Sequence, residues 1–213
     1  MHEEKLISYQ SQSSYSKLNN LTDKTDTIWM VFHGMGYLSK YFIRYFRDLD
    51  PEKNFIIAPQ APSKYYQDSS FKHVGACWLT RVDTQNEMEN IINYINAIWD
   101  AEVADQLKGK RLIVLGYSQG VSIASRWVSR MKIACDKLVL HSGGIPKELR
   151  AQDFEFLPED TEVLYLYGDQ DEYINEARKT EEQLKASQLF GHRTQVKVFP
   201  GKHEVYKPIL KEL

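Results

Sequence analysis

A serine flanked by glycines is the residue with the clearest chemical potential in this 213-residue chain. The segment Gly116–Gly120, with the sequence GYSQG, fits the pattern G-x-S-x-G and directly follows the apolar run Leu112–Leu115. Residues 121–127 continue with a helical pattern. In so tight a strand-to-helix turn, flanking glycines avoid steric clashes, and the strained serine presents its hydroxyl above the sheet. We therefore predict that Ser118 is a nucleophile.

A second glycine-rich segment, His33–Gly36 with the sequence HGMG, follows the apolar run Ile28–Phe32. Acyl transfer requires stabilisation of a tetrahedral oxyanion, usually by two backbone N–H groups. In enzymes with this serine motif, one donor is the residue after the nucleophile and the other lies in a loop after an early strand. We predict these donors to be Gln119 and Met35, with His33 structural; the alternative is an ordinary glycine-rich turn.

Candidates for the acid and the base follow later in the chain. In this type of enzyme the order is serine, acid, histidine, which leaves His192 and His203 as possible bases. His203 is favoured because it follows the last predicted strand, whereas His192 precedes it. Both Asp169 and Asp171 follow an apolar run, and either could be the acid. Asp171 is slightly favoured, since Asp169 could instead cap its own turn.

The elements that must position these loops are short apolar runs, which indicate parallel strands covered on both faces. The runs are Ile28–Phe32, Phe55–Ala58, Leu112–Leu115, Leu138–Leu140 and Val163–Tyr167. Residues 194–199 alternate as in an edge strand, and residues 5–18 could supply a short antiparallel pair at the opposite edge. Ligands of such sheets bind at the carboxyl ends of the strands, where all the candidate residues lie.

Helical patterns separate these runs, at residues 39–48, 84–105, 119–131, 174–190 and 204–213. The longest carries an apolar stripe with spacings of three and four residues. Thr84–Glu87 is typical of a capping box, and Gly109 is a plausible stop. The alternation predicts an α/β fold with one mostly parallel central sheet, right-handed crossovers and helices on both faces.

Composition excludes several classes of protein. The net charge is −2 and the basic residues are scattered, so we expect no binding to nucleic acid or to an anionic membrane. The length fits a single domain over residues 1–213. The polar start Met1–Lys5 and the absence of long apolar runs predict a cytoplasmic protein without an integral membrane segment. Cys77 and Cys135, which have no metal-ligand spacing, are expected to be reduced thiols.

Several motifs together resemble the carboxylesterase, acyl-protein thioesterase and lysophospholipase family of α/β-hydrolases. They are His33–Gly36, Ala58–Pro62, Trp78, Gly116–Gly120, Gly168–Asp171 and His203–Val205. The resemblance runs from His33 to the last residue, and it implies an α/β-hydrolase fold without a large cap domain, metal or cofactor. In that family the second aspartate of G-D-x-D is the acid of the triad, which points to Asp171. Its members are often monomers or dimers, so a monomer or homodimer is expected.

The resemblance implies a serine esterase that cleaves carboxylic esters of short to medium acyl chains through an acyl-enzyme. An acyl-protein thioesterase or a lysophospholipase is the alternative, followed by a peptidase and by a non-catalytic binding protein, which would normally lack a triad residue. Four aromatic residues around the segment 63–77 either wall an acyl groove or pack this segment onto the core. They are Tyr65, Tyr66, Phe71 and Trp78.

Overall fold

The computed structural model describes all residues from 1 to 213 and contains nine strands. These are β1 (Tyr15–Leu18), β2 (Thr27–Phe32), β3 (Asn54–Pro59), β4 (Ser63–Tyr66), β5 (Val74–Cys77), β6 (Arg111–Tyr117), β7 (Lys137–His141), β8 (Glu162–Gly168) and β9 (Thr194–Phe199). Seven form one sheet in the order β1-β3-β2-β6-β7-β8-β9, while β4 and β5 form a separate hairpin. Within the large sheet only β1 is antiparallel to its neighbour. The predicted mostly parallel sheet is confirmed.

Five α-helices connect or flank the strands. They are α1 (Ser39–Phe42), α2 (Thr84–Glu102), α3 (Gln119–Met131), α4 (Glu176–Phe190) and α5 (Lys207–Leu210). Buried side chains of α2, α3 and α4 join one hydrophobic core, and those of α1 and α5 join a second. Within β2, Ile28 and Met30 face the first core whereas Trp29 and Val31 face the second. Helices therefore cover both faces of the sheet, as predicted from its uninterrupted apolar strands.

The ends of the helices differ from the sequence prediction. The predicted capping box of α2 does not form, because the hydroxyl of Thr84 donates back to the Thr80 carbonyl at 2.9 Å. The residue before the helix, Asp83, has a φ of 48° and makes no side-chain cap. The helix ends at Glu102, well before the predicted stop at Gly109, which lies in the turn before β6 with a φ of 77°.

Two other predicted helices are shorter than their patterns indicated. The segment 39–48 folds as the single turn α1 followed by a 3₁₀ turn over residues 43–46, and the segment 204–213 retains only α5. The sequence predicts an antiparallel pair within residues 5–18, at the edge of the sheet away from β9. Residues 15–18 do pair with β3 there, whereas residues 1–14 contain no strand. No helix combines the length and apolar character that crossing a membrane requires.

Five neighbouring strands run parallel, so their carboxyl ends lie at the same edge of the sheet; these are β2, β6, β7, β8 and β9. The loops after them carry Met35, Ser118, Ser142, Asp171 and His203. The connection from β7 to β8 contains only a 3₁₀ turn at Ala151–Phe154, so no large cap domain covers this edge.

Candidate active site

Ser118 occupies a tight turn between β6 and α3. Its backbone has a φ of 54° and a ψ of −119°, a region that non-glycine residues occupy only under strain. A Cβ atom at Gly116 would lie 2.4 Å from the Gly120 carbonyl oxygen, and one at Gly120 would lie 2.1 Å from that of Phe32. Both glycines are therefore required by close backbone packing. The N–H of Ser118 donates to the His141 carbonyl at 2.8 Å, which fixes the turn to β7.

A continuous chain of hydrogen bonds joins Ser118, His203 and Asp171. The Oγ atom of Ser118 lies 2.9 Å from Nε2 of His203, and Nδ1 of this ring lies 2.8 Å from Oδ2 of Asp171. The second carboxylate oxygen accepts the N–H of Tyr173 at 2.9 Å. The Asp171 side chain is fully buried, so its two hydrogen bonds hold it in one orientation.

The structure separates the alternatives that the sequence left open. Asp169 accepts a hydrogen bond from the Gly201 N–H at 3.0 Å, which supports the loop that carries His203, and it is Asp171 that bonds the imidazole. His192 is exposed beside Glu159 on the surface. Asp171 and His203 are thus brought to Ser118, whereas Asp169 and His192 are not.

Met35 and Gln119, the two residues predicted to donate to the oxyanion, line the pocket beside Ser118. Gln119 is the first residue of α3, and the first N–H groups of a helix have no acceptor within it. The N–H of Met35 donates to no other protein group. A Cβ atom at Gly34 would lie 3.0 Å from that of Ser118, so only glycine lets this loop approach so closely. Backbone N–H groups so arranged can stabilise a developing oxyanion.

Trp78 packs into the core instead of lining a groove, which corrects its predicted role in substrate binding. It is 1% exposed, and its indole N–H donates to the His33 carbonyl at 2.8 Å. The Gln119 side chain accepts the Trp78 N–H at 2.9 Å and donates to the Leu79 carbonyl at 2.8 Å. Residues 78–79 therefore connect the loops that carry both predicted oxyanion donors.

The other three aromatic candidates lie on or beside the β4–β5 hairpin. Tyr66 and Phe71 contact each other with ring centroids 5.1 Å apart, and both are exposed together with Tyr65. None of the three lines the pocket beside Ser118. The hairpin instead supports the HGMG loop, since the N–H of Gly36 donates to the Ala76 carbonyl at 2.8 Å.

The pocket beside Ser118 has a volume of about 400 Å³, and most of the residues that line it are polar, charged or glycine. Its wall consists of Met35, Ser118, Gln119, Ser122, Ser142, Gly143, Gly144, Tyr173, Arg178 and His203. Sequence reasoning missed Ser142, Tyr173 and Arg178. A position directly after β7 could have indicated Ser142, but no pattern distinguished Arg178 from an ordinary solvated residue of α4.

Residues 14–213 match the model of the phospholipase/carboxylesterase family. The chain belongs to this family. Its structure is also similar to that of Zea mays acyl-protein thioesterase 2, with 18% identity, a TM-score of 0.65 and coverage of 94% of this chain and 96% of that chain. Esterase PE8 has 18% identity, a TM-score of 0.68 and coverage of 95% and 96%, respectively.

A third similar structure is the Bacillus cereus carboxylesterase, with 15% identity, a TM-score of 0.64 and coverage of 95% of this chain and 92% of that chain. No curated protein matches the chain significantly. At such low identity these likenesses establish the fold, which is that of the α/β-hydrolases. The family match identifies the chain as a hydrolase of the phospholipase/carboxylesterase family.

Two buried histidines support the loops of this phospholipase/carboxylesterase family member. In His33, Nδ1 lies 2.8 Å from the Gly34 carbonyl and Nε2 accepts the Ala61 N–H at 3.1 Å. His141 is held in the same way, with Nε2 accepting the Tyr206 N–H at 3.0 Å. Burial lowers the pKa of His33 to about 4 and that of His141 to about 3. Both rings are therefore neutral at pH 7, consistent with a structural His33.

The stability of this family member is expected to fall as the pH is lowered from 7 to 5. Unfolded histidines gain a proton near pH 6.5, whereas the low pKa values of His33 and His141 keep these rings unprotonated in the folded state. Each ring is therefore expected to lower the free energy of unfolding at pH 5 by about 2 kcal/mol relative to its value at pH 7. Urea unfolding at both pH values measures this loss.

A matched pair of variants assigns this pH dependence. His33→Gln is expected to be less stable than the wild type at pH 7 but to lose less of its stability between pH 7 and 5, because one buried titratable ring is gone. His192→Gln changes an exposed histidine and should show the wild-type loss. An undiminished loss in His33→Gln would contradict the prediction.

Proposed function

We propose that the protein is a serine esterase that hydrolyses carboxylic esters of short to medium acyl chains through an acyl-enzyme. The observation that carries this proposal is the continuous hydrogen-bonded chain from Ser118 through His203 to the buried Asp171. A serine hydroxyl needs an adjacent base to become a nucleophile, and the base needs a third group to fix its orientation. All three groups are within hydrogen-bonding distance of their partners.

In the proposed mechanism, Ser118 Oγ attacks the ester carbonyl carbon while Nε2 of His203 takes the hydroxyl proton. The N–H groups of Met35 and Gln119 stabilise the resulting oxyanion. The imidazolium, stabilised by Asp171, then protonates the departing alcohol oxygen, and the acyl group remains on Ser118. In the second half, His203 removes a proton from water, which attacks the acyl carbonyl. The bond from the acyl carbon to Ser118 Oγ then breaks, His203 returns the proton to Oγ, and the carboxylic acid leaves.

The size and lining of the pocket support a short acyl chain. The pocket of about 400 Å³ has only two hydrophobic residues in its wall, Met35 and Tyr173. Burying one methylene group contributes about 0.8 kcal/mol, so an apolar groove would be needed to reward a long chain. The aromatic residues that sequence reasoning assigned to such a groove lie elsewhere, at the hairpin and in the core.

A series of p-nitrophenyl esters from acetate to palmitate tests this proposal. We expect kcat/KM to be highest for a chain between acetate and octanoate and to fall towards palmitate. An optimum at palmitate would contradict the short-chain assignment. If no ester of any length is hydrolysed, the esterase proposal fails, and acyl thioesters of the same chain lengths then test the thioesterase alternative.

A further inference from the structure

The pocket beside Ser118 contains a positively charged group without a carboxylate partner. Arg178, in the first turn of α4, lines this pocket, and its Nη1 donates to the Tyr173 carbonyl at 3.0 Å. Its guanidinium forms no ion pair, whereas the acidic residues of the same helix are already paired with lysines. These pairs are Lys179–Glu176, Lys185–Glu181 and Lys185–Glu182.

Glu182 lies near this guanidinium, since a Cβ atom at Gly144 would contact both side chains, but both of its carboxylate oxygens are engaged elsewhere. One accepts a hydrogen bond from the Ile145 N–H at 2.7 Å and the other accepts one from the Lys185 ammonium group at 3.0 Å. Glu182 is also buried. The charge of Arg178 is therefore available to a molecule that enters the pocket.

Two adjacent glycines connect this charge to the nucleophile. A Cβ atom at Gly143 would lie 2.2 Å from the Ser118 carbonyl oxygen, and one at Gly144 would lie 2.8 Å from Nη2 of Arg178. At Gly143 the backbone packs directly against the Ser118 carbonyl, whereas a side chain at Gly144 would meet the guanidinium of Arg178. Ser118 and Arg178 line the same pocket of about 400 Å³, so one short substrate can contact both.

From this arrangement we propose that the enzyme prefers esters that carry a carboxylate, which Arg178 binds while the ester carbonyl lies at Ser118. A guanidinium presents paired N–H donors that match the two oxygens of a carboxylate. The pocket wall also contains the hydroxyl groups of Ser122 and Ser142, which can donate hydrogen bonds to a charged substrate. This inference rests on the proposed esterase function and names its substrate class.

Two pairs of esters test the proposal, with acid release followed in a pH-stat. In the first pair, monoethyl glutarate and ethyl valerate, both acyl chains have five carbons, but only that of monoethyl glutarate ends in a carboxylate. In the second pair, acetoxyacetate and ethyl acetate, the acyl groups are identical, and only acetoxyacetate carries a carboxylate on its alcohol portion. In at least one pair, the wild type should favour the anionic ester by about tenfold in kcat/KM. Arg178→Gln should remove this preference, and Arg178→Lys should retain part of it.

A matched control and a binding measurement keep the outcomes distinct. Arg126→Gln alters an arginine already paired with Glu148 at 2.6 Å and should keep the wild-type preference. Calorimetry should show that glutarate binds about tenfold more tightly than neutral glutaramide to the wild type but not to Arg178→Gln. If no ester is hydrolysed but glutarate binding depends on Arg178, the esterase function fails and the anion site stands. The proposal would be overturned if charged and neutral ligands had equal kcat/KM values and equal affinities. It would also be overturned if Arg178→Gln kept the wild-type preference for the charged ligands.

Discussion

Ser118→Ala is expected to lower kcat for the best p-nitrophenyl ester by about 10⁴- to 10⁶-fold. The substitution removes the hydroxyl that is hydrogen-bonded to the His203 imidazole, so no acyl-enzyme can form. The oxyanion donors are backbone groups and remain, which leaves a small residual rate. Steady-state kinetics with purified protein, checked by circular dichroism for an unchanged fold, measures the effect.

Ser122 offers a matched control because it also lines the pocket. Its hydroxyl accepts a hydrogen bond from Arg126 and has no contact with the imidazole. Ser122→Ala should therefore lose less than about tenfold in kcat and should still be labelled by a fluorophosphonate, whereas Ser118→Ala should not be labelled. Labelling of Ser118→Ala, or comparable losses in both variants, would contradict the assignment of Ser118 as the nucleophile.

Asp171→Asn is expected to lower kcat by about 10⁴-fold. The asparagine oxygen can still accept the Tyr173 N–H, which turns its amide N–H₂ group towards Nδ1 of His203. The imidazole must then carry its proton on Nε2, where it faces Ser118 and cannot accept the hydroxyl proton. KM should change much less than kcat, because the pocket wall is unaltered.

Asp169→Asn provides the control for this prediction, since both aspartates belong to the same loop. The asparagine oxygen at position 169 can keep the hydrogen bond to the Gly201 N–H, and no group of the triad contacts it. A loss of less than about tenfold is expected. If Asp169→Asn reduced kcat as severely as Asp171→Asn, the carboxylate beside His203 would not have the role proposed here.

The parallel sheet was predictable because its strands are covered on both faces. Residues 28–32 of β2 alternate between two hydrophobic cores, so all five are apolar and the run is visible without an alternating pattern. The candidate nucleophile was predictable for a related reason. Its flanking glycines are imposed by backbone contacts shorter than any side chain allows, and such a constraint leaves a local pattern in the sequence.

The pocket wall was not predictable, because its residues obey no local rule. Trp78 is buried through contacts with His33 and Gln119, which are distant in the chain, and nothing in its own segment distinguishes it from the exposed Tyr66. The hairpin of β4 and β5 was missed since all four residues of β4 are exposed and show no alternation. Arg178 differs from its helical neighbours only by the lack of an acidic partner, which depends on tertiary structure.

At position 118, the residue that catalysis requires is not the residue that would make the fold most stable. A non-glycine residue with a φ of 54° costs on the order of 1–3 kcal/mol, and glycine would relieve much of this cost. A population selected only for survival at high temperature would therefore drift towards glycine at 118, as commonly happens when stability is selected without activity. Only a requirement for hydrolysis in the cell would keep a serine there.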